Sequence, residues 1–81
     1  MAKENYDPVI MDKLIRSRIQ LLMKFPFFGT LALNFKLVEN NQIQTAATDG
    51  KDFYYNKDFV GGLSDGEIAF LIAHEVMHCA L

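Results

Sequence analysis

Three features of the sequence predict an α+β fold: apolar residues at helical spacing near the start, apolar residues at period two in the middle, and a nearly uninterrupted apolar run at the end that contains His74-Glu75-Val76-Met77-His78. Their order predicts an N-terminal amphipathic helix, a short antiparallel three-stranded meander and a C-terminal buried helix. Residues 1–81 read as a single domain.

Pro8 suits a first helical turn, with Asp7 or Asn5 as cap, and Ile10, Met11, Leu14, Ile15, Ile19 and Leu22 then recur at helical spacing until Pro26 ends the segment. Phe25-Pro26-Phe27-Phe28-Gly29 reads as a stiff apolar connection. Leu31, Leu33, Phe35 and Leu37 alternate with Ala32, Asn34, Lys36 and Val38, the pattern of a strand with one face buried. Glu39-Asn40-Asn41-Gln42 has turn chemistry, residues 43–48 read as a second strand, and Asp49-Gly50 supplies the next tight turn. Phe53-Tyr54-Tyr55 is the third strand, its aromatics read as packing residues. The alternative reading makes this strand an edge beside the last helix, whose backbone groups can pair with an extended peptide.

Asn56 to Leu63 reads as a loop around Gly61-Gly62. Ser64-Asp65-Gly66-Glu67 matches a capping box, in which the Ser64 hydroxyl and the Glu67 carboxylate each bind the other's backbone amide. This fixes the start of the last helix and gives Glu67 a capping role. Glu67 stands two turns, about 10 Å, before His74, too far to share a metal with it. Cys79 is turned about 100° from His78 and reads as a small buried hydrophobe.

Composition sets bounds on function. A chain of 81 residues buries only about 60–65% of its unfolded surface, although a 51% hydrophobic content supplies a core. A net charge of −2 with scattered Lys and Arg argues against a nucleic-acid partner. The polar side of the first helix carries both charge signs and no apolar run reaches the length of a membrane span, which argues against a membrane partner. One cysteine cannot form an internal disulfide, and the first residues lack a signal-peptide core, so the expected compartment is the cytoplasm.

The His-Glu-x-x-His spacing carries chemistry. Residues i and i+4 of a helix share a face, so the imidazoles of His74 and His78 can converge on one zinc ion about 2.0–2.1 Å from each. Glu75, about 100° further round, can reach a water on that metal and act as general base in amide hydrolysis. The competing reading is a packed helix whose histidines are merely solvated or hydrogen-bonded. From Ile68 to Leu81 the only polar side chains besides Cys79 are those of His74, Glu75 and His78, and a helix apolar all round reads as buried. Buried polar groups need partners, and a metal with its water satisfies all three at once.

Thr45-Ala46-Ala47-Thr48-Asp49-Gly50, Tyr54-Tyr55-Asn56, Asp58-Phe59-Val60 and the run from Leu71 to His78, in this order and spacing, resemble the "putative metallopeptidase" domain that precedes a von Willebrand factor A-like domain in many bacterial and phage proteins. The resemblance extends from the first helix to the last residue. It implies a minimal zincin-like α+β unit, His74 and His78 as zinc ligands and Glu75 as catalytic acid/base, acting on a peptide or protein substrate. Members of that family usually continue past this helix, with a further histidine shortly after the second motif histidine, and this sequence ends at Leu81. A catalytic zinc generally takes three protein ligands and a water. The expectation is therefore an N-terminal portion whose missing part supplies the third ligand, with Asp49, Asp52 and Asp58 as acids that the fold could bring near. The alternative is a non-catalytic interaction or scaffolding module that keeps the helix. Either way, so apolar a last helix calls for self-association or for a covering C-terminal segment or partner.

Overall fold

The computed structural model describes residues 6–80; of Ala80 only the backbone is described. Its elements are α1 (Pro8–Lys24), α2 (Pro26–Ala32), β1 (Lys36–Glu39), β2 (Ala46–Thr48), β3 (Asp52–Tyr55), α3 (Lys57–Gly61) and α4 (Asp65–Ala80). The α+β class stands, with an N-terminal helix, three strands and a C-terminal helix in the expected order. Asn5, the alternative cap, and Leu81 lie outside the described residues.

Asp7 caps α1, its Oδ1 accepting from the amides of Val9 at 2.9 Å and Ile10 at 3.4 Å. Pro8 follows at the first helical position, where a missing N–H costs nothing. The helix buries Leu14, Ser17 and Leu21, a stripe at i, i+3 and i+7. It stops at Lys24 because a proline disfavours helical backbone in the residue before it, and Phe25 is non-helical with φ −137° and ψ 79°.

The connection predicted around Pro26 is instead a helix. Pro26 occupies the first position of α2, and Phe28, Leu31, Ala32 and Phe35 recur at i, i+3, i+4 and i+7, a helical period that overlaps the period-two pattern. Leu31 and Ala32 thus belong to α2, and the predicted strand from Leu31 shrinks to Lys36–Glu39. Packing favours the helix. Gly29 is buried against α1 so closely that a Cβ there would stand 2.6 Å from the Leu22 nitrogen.

The sheet is mixed, with order β1-β3-β2, and this corrects the predicted meander. β1 runs parallel to β3 and β2 antiparallel to it. The segment after β1 arches over the end of β3, and Asn56 ties it down. The Asn56 amide donates to the Thr45 carbonyl at 2.8 Å and its Nδ2 to the Ile43 carbonyl at 2.9 Å. Asn56 Oδ1 also caps α3, accepting from the amides of Asp58 and Phe59, so part of the predicted loop is a short helix. Phe53 and Tyr55 point into the core, whereas Tyr54 faces the other side and donates its hydroxyl to Asp49 Oδ2 at 2.9 Å.

The core joins Leu14 and Leu21 of α1, Ala32 of α2, Phe53 and Tyr55 of β3, Val60 of α3, and Ile68, Ile72 and Val76 of α4. The last three fall at i, i+4 and i+8, one stripe of α4. Apolar composition overstated the burial of this helix: Phe70 is 74% and Met77 42% exposed. No helix among the described residues is long and apolar enough to cross a membrane.

Candidate metal and catalytic cleft

The start of α4 is set by the predicted capping box. The Ser64 amide donates to Glu67 Oε1 at 2.8 Å and the Glu67 amide to Ser64 Oγ at 3.1 Å. The Ser64 backbone amide first, and the Ser64 side chain second, hold the Glu67 carboxyl below the usual carboxylate range, as expected where hydrogen bonds favour the charged form.

Burying Ile68, Ile72 and Val76 fixes how α4 is rotated about its axis, and that rotation turns His74 and His78 outward. Both are exposed, so the buried-helix argument for a metal does not apply, and geometry takes its place. His74 Nε2 and His78 Nε2 lie 3.1 Å apart, with ring planes at 81°. Two ligands about 2.0–2.1 Å from a tetrahedral metal stand about 3.3–3.4 Å from each other. The pair is slightly closer than that and makes an imidazole–imidazole hydrogen bond, and Phe70 stacks on His74 with ring centroids 6.4 Å apart.

Glu75 and His78 line an open cleft of about 520 Å³ whose opposite wall is Ala46 to Gly50, the strand β2 and its following turn. Because β3 is central, the Phe53-Tyr54-Tyr55 strand cannot be the pairing edge, and that expectation is corrected: the sheet edge beside α4 is β2. Thr48 Oγ1 meets Cys79 Sγ at 2.8 Å, joining strand to helix. Cys79 is exposed rather than buried, because it lies on the cleft side of α4.

The three candidate acids are engaged in other contacts or placed outside the cleft. Asp49 lines the cleft, yet its Oδ1 accepts from the amides of Lys51 at 2.9 Å and Asp52 at 2.8 Å, and its Oδ2 accepts from Tyr54. Those backbone amides, with the Tyr54 hydroxyl, keep its pKa low. Asp52 shares the outer sheet face with Tyr54 at 3.5 Å, and Asp58 sits in the first turn of α3. No group of three potential metal ligands forms among the described residues.

Residues 11–81 match a family model described as a putative metallopeptidase domain. The chain belongs to that family. Membership in a metallopeptidase-domain family implies a metal and a peptide-type substrate, and it gives the α4 face and its cleft a chemical context. No curated protein and no solved structure matches the chain. The wall of this cleft, Thr48, Asp49 and Gly50, was visible in the sequence as a strand end, a turn and part of the family resemblance, but not as a cleft wall, since nothing local says which strand becomes the edge.

Proposed function

We propose that this metallopeptidase-family chain is a zinc-dependent peptidase domain in which His74 and His78 hold the metal and Glu75 is the general base. The observation that carries the reading is the 3.1 Å approach of the two Nε2 atoms on a helix that also brings Glu75 and His78 to a cleft bounded by a strand edge. When bound, zinc supplies Lewis acidity that polarises a carbonyl and acidifies a water. His74 and His78 serve it through Nε2, which requires each ring to carry its proton on Nδ1. Glu75 takes the proton from the attacking water and delivers it to the leaving amine. An extended peptide pairs with the outer edge of β2, which holds its amide along the cleft beside Glu75. Two histidines make two of the three protein ligands usual for a catalytic zinc, and we assign the third to a group outside the described residues. An exposed cysteine beside this pair suits a reducing, cytoplasmic setting.

Hydrolysis of a quenched-fluorescence peptide by zinc-loaded protein tests the reading. Glu75→Gln is expected to keep its zinc and lose activity by about 10²–10⁴-fold, the usual contribution of a general base; undiminished hydrolysis by that variant overturns it.

The exposure of Phe70 and Met77 favours a second reading, an interaction module whose α4 face is covered by another copy or by a partner segment. Indifference of metal content to His74→Ala and of activity to Glu75→Gln would select it.

A further inference from the structure

Beyond the cleft lies a smaller recess of about 200 Å³ lined by Leu31, Asn34, Phe35, Gly50, Val76 and Cys79. Two of these, Gly50 and Cys79, also line the cleft that contains Glu75 and His78, so the recess and the cleft are neighbours that share these two residues as a common wall. Resting on the peptidase reading, we infer that this recess is the specificity pocket of the site and takes one apolar side chain of the peptide next to the bond that is cut.

Size, polarity and rigidity each support this. About 200 Å³ is below the roughly 300–1,000 Å³ of pockets that hold whole small ligands, which leaves room for one side chain. Its lining includes Leu31, Phe35 and Val76 and no charged residue, the polar side chains being those of Asn34 and Cys79. A charged side chain entering it finds no partner and loses its hydration, a costly exchange, whereas an aliphatic or aromatic one gains burial.

The walls are also held in place. Arg18 Nη1 donates to the Phe35 carbonyl at 3.1 Å, and the amides of Asn34 and Phe35 donate to the carbonyls of Leu31 and Ala32. On the opposite side Asp49 fixes the turn that carries Gly50. Gly50 has φ +90° and open space where a Cβ would stand, so no side chain narrows the mouth there. In an extended peptide alternate side chains point to the same side, so a chain paired along β2 sends one towards the recess.

The pocket is tested by binding as well as by turnover. The probes are hexapeptides that differ at one position, Leu, Asp or Lys, added to zinc-loaded Glu75→Gln chain while the methyl resonances of Leu31 and Val76 are followed. The Leu peptide is expected to shift both methyls and to bind at least about tenfold tighter than the Asp peptide, the scale at which apolar pockets discriminate. Asn34→Asp, a change at an exposed turn residue, is expected to shift the preference about tenfold towards the Lys peptide. Equal binding of the Leu and Asp peptides, unmoved methyls, or no binding of any peptide overturns the inference. Turnover by the zinc-loaded wild-type chain separates the two ideas. Cleavage without an apolar preference removes the pocket and leaves the peptidase reading, whereas the binding preference without any cleavage removes the peptidase reading and leaves the pocket.

Discussion

His74 Nε2 lies 3.1 Å from His78 Nε2 across one turn of α4, and Val76, between them in sequence, is 1% exposed. The same helix rotation that buries the valine holds the imidazoles together in solvent, so the pair owes its geometry to the core and contributes little to it. In metal-free protein, His78→Ala is therefore expected to change unfolding free energy by no more than about 0.5 kcal/mol, the usual range for surface substitutions. Urea unfolding measures this. A loss of several kcal/mol would mean the histidines are packing residues.

Gly29 is expected to tolerate no side chain. Its missing Cβ would fall 2.6 Å from the Leu22 nitrogen and 2.7 Å from the Leu22 Cβ, and backbone cannot move aside as a flexible side chain can. Gly29→Ala should cost about 3 kcal/mol, the upper part of the range for overpacking, read as a lower denaturation midpoint with an unchanged slope. A neutral result would show that α1 and α2 do not pack at this corner.

The capping box gives a prediction with a pH signature. Ser64→Ala is expected to cost about 1 kcal/mol at neutral pH, the typical value of a lost N-cap. Glu67 has its folded pKa lowered by Ser64, so its contribution is present above the ordinary carboxylate pKa of about 4.3 and is lost as pH falls through the depressed folded value. The difference in stability between wild type and Ser64→Ala should therefore narrow on acidification. Unfolding curves at pH 7 and pH 3 check it.

Tyr55 is fully buried, and its hydroxyl has no hydrogen-bond partner among the described residues. Desolvation, with Glu39 and Asp7 adding to it, pushes its pKa up to about 12. A raised pKa in an acid that is neutral when protonated means full stability below the unfolded value of about 10 and loss as pH rises from there through about 12. Tyr55→Phe should flatten this alkaline loss and raise stability at pH 7 by about 1 kcal/mol, by removing an unsatisfied polar group. Thermal unfolding at pH 7 and pH 11 measures both effects.

What was legible in the sequence was what local chemistry decides. Asp7 with Pro8, Ser64 with Glu67, and Asp49 with Gly50 each fix a boundary through bonds within a few residues, and all three hold. What was not legible depends on distant partners. Leu31 and Phe35 fit both a strand period and a helical one, and the choice fell to Gly29 meeting Leu22 across the chain. The sheet order depends on Asn56 fastening the arch over β3, which no periodicity reveals. The apolar run of α4 showed that this helix packs, but which third of it packs was settled by α1, α2 and β2. For the site, the spacing of His74, Glu75 and His78 stated the candidate ligands and base, while the facing wall at Thr48 to Gly50 and the recess behind it exist only once β2 becomes the edge.

Isothermal titration of the metal-free chain with zinc tests the central claim most directly, because it reads the His74–His78 pair without requiring a substrate. The account predicts one zinc per chain, retained in Glu75→Gln and lost or weakened at least about tenfold in His74→Ala and in His78→Ala. Zinc binding that is absent from the wild type, or indifferent to both histidine changes, would contradict it.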